Sequence, residues 1–198
     1  MIDTKDNDKV EKIINFWFEN ELDYKKWFSG KNTYDNIIKT NFLSILKEAE
    51  SGYLHEWLCH PKSYLAMIIL LDQFSRHIYR HTADAYKNDK LVLLFTEMGL
   101  DLHLDKFNAI EKTFVLMPYQ HSENIEDQLL GIKILENLIA NENNLEEKNI
   151  LKRALYHNNG HLKILKKFNR FPKRNTYLNR ESTEEEIDYI DETSNLPY

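Results

Sequence analysis

SYLAMIILLDQFSRHIYR, residues 63–80, is the stretch that decides the fold. Its first two turns are apolar all round, which marks a helix buried inside a domain rather than laid on its surface. A polar stripe then begins: on a helix Asp72, Arg76 and Arg80 stand four apart on one line, with Gln73 and His77 beside it. Acid placed N-terminal to arginine at that spacing is the favourable order. A buried charge is costly unless paired, so two readings stand side by side. One is a structural Asp–Arg bridge tying neighbouring helices; the other is the polar wall of a cavity in which Arg76 or Arg80 takes an anion.

Outward from this segment, apolar residues keep recurring at helical spacing and no stretch alternates as a strand would. Val10, Ile13, Ile14, Trp17 and Phe18 share a face of a first helix. Trp27 and Phe28 fall in a connection ending at Ser29-Gly30. Thr33 is placed to cap a second helix whose face is Ile37, Ile38, Phe42, Ile45, Leu46 and Ala49, stopped at Ser51-Gly52. Tyr53 to Leu58 reads as a short helix halted by Pro61. Later helices are expected from Thr82 or Ala83 to Met98, closed by Gly99, and from Asp105 to Met117, ended by Pro118. The next runs from Glu123 to Asn141 behind a Ser122 cap, and another from Asn144 to Phe168 with a break at Asn158-Asn159-Gly160. Thr183 with Glu186 is a capping box for a short last helix. The expected fold is therefore all-α, eight to ten helices in antiparallel pairs, as one domain over 1–198 with a terminal helix and acidic tail from 182.

Composition agrees. The chain has 198 residues, 42% hydrophobic and 29% charged, with only 5 glycines and 4 prolines, which excludes disorder and loop-rich β architectures. Its longest clean apolar run, Tyr64 to Leu71, is far short of the roughly 20 residues a bilayer span needs. The polar N-terminus does not read as a signal peptide. A single cysteine, Cys59, provides no internal disulfide framework, and a cytoplasmic location is the expectation. Net charge is −6, but Lys152 to Arg180 holds nine cations and no acid, while Glu181 to Glu192 holds seven acids. The basic block is a candidate anion site; alternatively the adjoining acidic segment folds back and neutralises it.

Two further polar clusters stand out. In Pro118-Tyr119-Gln120-His121-Ser122-Glu123, a Ser122 cap would put His121 just outside a helix N-terminus, where free N–H groups attract negative charge. Histidine there can titrate near neutrality or bind metal, with Glu123 either a proton-transfer partner or a complement to the helix dipole. In the loop from Phe168 to Arg180, Arg170, Arg174 and Arg180 offer forked guanidinium donors, with Asn175 among them; the plain alternative is a loop pinned by those same arginines. His157 and His161 are four apart, yet lack the glutamate of a zinc protease, and no metal is assigned. No Walker loop, GxGxxG or GxSxG occurs, and no cofactor is expected.

Taken together, FWF at 16–18, WF at 27–28, LAMIILLDQFSRHIYR at 65–80, MPYQHSE at 117–123 and FNRFPKRNTYLNRESTEEE at 168–186 resemble the bacterial domain-of-unknown-function 924 proteins, over almost the whole chain. The resemblance implies a tetratricopeptide-like all-helical superhelix and no particular reaction. Against the family pattern, Asn169 and Asn179 stand where glycine is usual, and Lys173 where histidine is usual. The three polar clusters are the family's signature segments. They are expected to converge on one inner surface, with Asp72, His121 and Glu123 moving protons and Gln73, Arg76, Arg80, Arg170, Arg174, Asn175 and Arg180 binding a small anion. A scaffold binding a peptide partner is the alternative. Nucleic-acid contact through the basic block ranks last, given the overall acidity.

Overall fold

The computed structural model describes residues 4–19, 27 and 34–193. Helix α1 is Thr4–Phe18 and α2 is Asp35–Glu50, followed by a 3₁₀ turn at His55–Cys59. Helix α3 is continuous over 61–78, with an α-helical start (Pro61–Ile68), a π-helical centre (Ile69–Phe74) and a last α turn (Ser75–Ile78). After a 3₁₀ turn at Ala83–Tyr86 come α4 (Asp89–His103), α5 (Ala109–His121), α6 (Ile125–Asn141), α7 (Leu145–Phe168), a 3₁₀ turn at Pro172–Arg174, and α8 (Glu184–Glu192). Eight helices and no strand are thus present among the described residues, an all-α fold as the periodicity requires. The expected Phe28 connection, the Ser29-Gly30 turn and the Thr33 cap lie outside them.

α3 is the axis of the molecule. Every residue from Ser63 to Ser75 is buried, packed among α1, α2, α4 and α5. That matches an all-apolar opening: a helix with no polar face must be surrounded. The wider π turn falls on the segment where the sequence changes from apolar to polar, and Ser75 Oγ there donates back to the Leu71 carbonyl at 2.6 Å. Such single-turn widenings recur at functional sites.

Several expected boundaries move, some through packing and some through local caps. Gly99 does not close α4; the helix continues to His103. A Cβ at Gly99 would lie 2.2 Å from the Tyr64 ring, whose hydroxyl donates to the Thr96 carbonyl. The glycine exists to admit that ring. α4 also begins later than expected, at Asp89, because Ala83–Tyr86 is a separate 3₁₀ turn. α5 starts behind an Asn108–Glu111 capping box and carries Pro118 within its last turns instead of ending there. Ser122 is the residue after α5, not the cap of α6; Asn124 is that cap, accepting from Glu126 N–H. Ser122 instead accepts from Asn124 N–H and donates to Asp127. No break occurs at Asn158-Asn159-Gly160, since Asn158 bonds to α5 and to its own helix. Pro61 opens α3 as well as ending the turn before it. The end of α2 at Gly52 (φ +78°), the Asn144 start of α7 and the Thr183–Glu186 capping box of α8 stand as expected. Asn169 and Asn179 have φ of 55° and 52°, left-handed positions that asparagine tolerates and glycine would suit.

The larger hydrophobic cluster joins α1, α2, α3 and part of α5 around Trp17, Phe42, Phe74 and Phe114. A smaller one joins α5, α6 and α7 through Leu116, Tyr119, Leu135 and Leu151. No helix among the described residues is long and apolar enough to cross a membrane.

Candidate functional site

The polar end of α3 is tied to three distant segments in a closed circuit. Asp72, 1% exposed, accepts from His121 Nδ1 at 2.7 Å, Gln73 Nε2 at 2.5 Å and Arg76 at 3.1 Å. Arg76 also donates to Asp89 Oδ1 at 2.8 Å. Asp89 Oδ2 accepts from Arg174 at 3.1 Å, and Arg174 donates to the His121 carbonyl at 3.0 Å. The Arg174 guanidinium lies between the Tyr86 and Phe171 rings, 4.7 and 4.6 Å from their centroids. Two carboxylates therefore face two guanidiniums, so the buried cluster is neutral without any ligand, which is how such charges persist away from water.

The circuit fixes the state of His121. Burial alone would raise the Asp72 carboxyl, but His121, Arg76 and the bonds from His121 and Gln73 hold it well below the usual carboxylate range. Burial and the Arg76 charge push His121 down, against the pull of Asp72. An ionised carboxylate can only accept, so Nδ1 carries the hydrogen and Nε2 keeps its lone pair. Asp72 thus orients a neutral imidazole whose Nε2 is able to accept a proton.

His121 forms part of the wall of a cavity of about 620 Å³ between α5 and α7. The two helices run parallel: Ala109 N–H donates to Glu147 at one end, and at the other Asn158 donates to Gln120 while His161 Nδ1 meets the Gln120 carbonyl at 3.2 Å. That carbonyl fixes the tautomer of His161, whose Nε2 accepts from the Gln120 amide at 3.4 Å. Burial, then the neighbouring His121, pushes His161 down to about 3. Gln73 and Arg76 complete the polar end, while Trp27, Ile110, Phe114, Ile150 and Ala154 line the other. Arg153, His157 and Lys163, all exposed, rim the mouth.

The other expected site residues lie off this cavity. Arg80 is bidentate to Asp35 (2.5 and 2.9 Å), beside His77, at a separate cleft of about 260 Å³. Glu123 accepts from Phe171 N–H at 2.8 Å and from both Arg180 amino groups at 2.6 and 3.0 Å. Arg170 is bidentate to Glu186 (2.6 and 2.7 Å). Asn175 donates to Glu186 and Ser182 and accepts from Arg180. These groups moor the 169–183 loop to the turn between α5 and α6 and to α8, so that Arg174 reaches the circuit. The acidic segment neutralises part of the basic block, through Arg170–Glu186 and Lys167–Glu185. His121 ends α5 rather than standing at a helix N-terminus, so helix-end attraction of an anion plays no part there. Among the described residues no three His, Cys, Asp or Glu side chains converge as metal ligands.

Asp89, Gln120 and Arg153 were not expected at the site. Asp89 was hidden by the boundary of α4: read as mid-helix, it gave no sign of sitting at the helix start facing Arg76. Arg153 stands four before His157 on α7, the spacing that puts both on one face, whereas no spacing singles out Gln120, the neighbour of His121.

Comparison with known proteins gives a consistent picture. Residues 13–194 match the family model described as "Bacterial protein of unknown function (DUF924)". No curated protein matches the chain. A solved structure of a protein of unknown function from Agrobacterium tumefaciens is similar over 94% of this chain and 98% of that one, at 30% identity and a TM-score of 0.81.

Proposed function

The chain belongs to the bacterial DUF924 family, and we propose that its cavity between α5 and α7 binds a small organic anion, with His121 moving a proton at the polar end. One observation carries this reading. Among the described residues the cavity is lined by three cations, Arg76, Arg153 and Lys163, and by no carboxylate, the Arg76 charge being met from behind by Asp72 and Asp89, in a chain of net charge −6. A recess of one sign in a protein of the other focuses its field on an oppositely charged ligand. Asp72 supports the chemistry by fixing the imidazole tautomer and by stabilising the imidazolium once Nε2 takes a proton from the ligand or from a water beside it. Gln73 and Arg76 keep Asp72 ionised. Glu123, Arg170, Asn175 and Arg180 serve by position, holding the loop that carries Arg174.

Thermal-shift titration with carboxylates and phosphates tests the reading. At a hundredfold excess over Kd a ligand adds about 2.7 kcal/mol, a rise of roughly 5–10 °C for a chain of this size. Arg153→Glu, at the exposed rim, should abolish most of that rise without unfolding the protein. If no anion raises Tm, or if Arg153→Glu responds like the parent, the reading fails.

The tetratricopeptide-like peptide scaffold keeps one supporting observation, the exposed stripe Leu94, Met98 and Leu102 on α4. It predicts that Met98→Glu weakens capture of a partner while anion titrations leave Tm unmoved.

A further inference from the structure

We infer that the ligand is an amphipathic monocarboxylate, an aliphatic or aromatic acid lying along the cavity with its carboxylate at the Arg76–His121 end. The inference deepens the anion-binding reading and rests on it. Its basis is the chemical division of the cavity. Because α5 and α7 run parallel, their N-terminal halves meet at one end and their C-terminal halves at the other. Ile110, Phe114, Ile150 and Ala154 come from the first halves, and Trp27 joins them with its ring 5.0 Å from that of Phe114 in an edge-on contact. Gln120, His121 and His161 come from the second, closed off by Gln73 and Arg76 from α3.

An inorganic anion would satisfy the polar end and leave the apolar end facing water. A neutral hydrocarbon would do the reverse. A molecule with one charged head and an apolar body matches both ends at once, and about 620 Å³ lies within the range of small-molecule sites. The cluster behind the wall is already neutral, with Asp72 and Asp89 matching Arg76 and Arg174. The one positive charge the polar end can still gain is a proton on His121 Nε2, so it suits a singly charged head better than a multiply charged phosphate.

Isothermal titration of the full chain with straight-chain monocarboxylates of two to ten carbons tests this, with inorganic phosphate and length-matched alcohols alongside. Each added methylene should tighten binding roughly fourfold until the cavity is filled. Thr113→Phe, a half-buried lining position beside the apolar end, should flatten that series while short acids bind as before. The wild-type series decides the matter even if the variant misfolds. Acetate or phosphate binding as tightly as octanoate overturns the amphipathic ligand and leaves an anion site. Alcohols binding as tightly as the acids overturn the anion reading itself. Absence of binding throughout removes both.

Discussion

His161 is a neutral imidazole buried against Gln120, and its neutrality has a consequence for stability. In the unfolded chain it titrates near 6.5; in the folded protein burial and His121 lower it to about 3. The unfolded form therefore takes up the proton first, so the stability this ring contributes is complete above pH 6.5 and is lost as pH falls toward 3. His77, His121 and His157 are shifted in the same direction. Carboxylates such as Asp72, Asp35 and Glu123 are lowered, so their contribution is lost only below about pH 4. A histidine-driven window between pH 6.5 and 4 should thus stand apart from acid unfolding proper. Urea denaturation across this range should show stability falling, and His161→Asn should reduce the slope by up to about 1.4 kcal/mol per pH unit, the share of one proton. An unchanged slope in the variant would contradict the assignment of His161 as the neutral buried ring.

Two glycines inside helices make opposite demands, and the contrast explains which boundaries sequence reading found. Gly99 in α4 is pressed against Tyr64, whereas a Cβ at Gly160 in α7 would meet nothing within 4 Å. Gly99→Ala should destabilise by about 2 kcal/mol or more through overpacking. Gly160→Ala should stabilise by roughly 0.5–1 kcal/mol through helix propensity alone. Thermal denaturation of the two variants reads both signs. Some boundaries set by local hydrogen bonds are legible, as at Asn144 and at the Thr183–Glu186 box, where donor and acceptor sit three residues apart, while at Asn108 and Asn124 a nearby polar residue competes for the same role. Those at Gly99 and Asn158-Asn159-Gly160 are not legible, because Tyr64 and Gln120, distant in sequence, decide them. α8 offers a related test. Glu186 is buried and receives Arg170, Asn175 and Thr183 N–H. Glu186→Ala should lower Tm, because it frees Arg170, Asn175 and the Thr183 N–H together, and should speed hydrogen exchange in 170–193 before the rest of the chain. Uniform exchange would mean that α8 is not a separable unit.

The two hydrophobic clusters share α5, which turns Phe114, Val115 and Met117 to one and Leu116 and Tyr119 to the other. The cavity and the charged circuit lie at that seam. Within the circuit, the Asp72–Arg76 pair was legible as an i, i+4 spacing, and His121 and Arg174 as members of polar motifs. That Asp72 would choose His121, 49 residues away, over any other partner follows only from the packing of α3 on α5. Asp89 joins the ring from the first turn of α4, bridging Arg76 and Arg174. Removing it leaves two guanidiniums facing one remaining carboxylate, Asp72, with Tyr86 beside them both. Asp89→Ala should therefore cost about 3 kcal/mol, the penalty of uncompensated buried charge rather than of one lost contact. The void it creates has the size and the donors for a small carboxylate, so formate should raise the Tm of the variant well beyond its effect on the parent, while chloride at equal ionic strength should not. Equal responses to the two salts would show screening alone, and the bridge between the segments would then not depend on a carboxylate at that point.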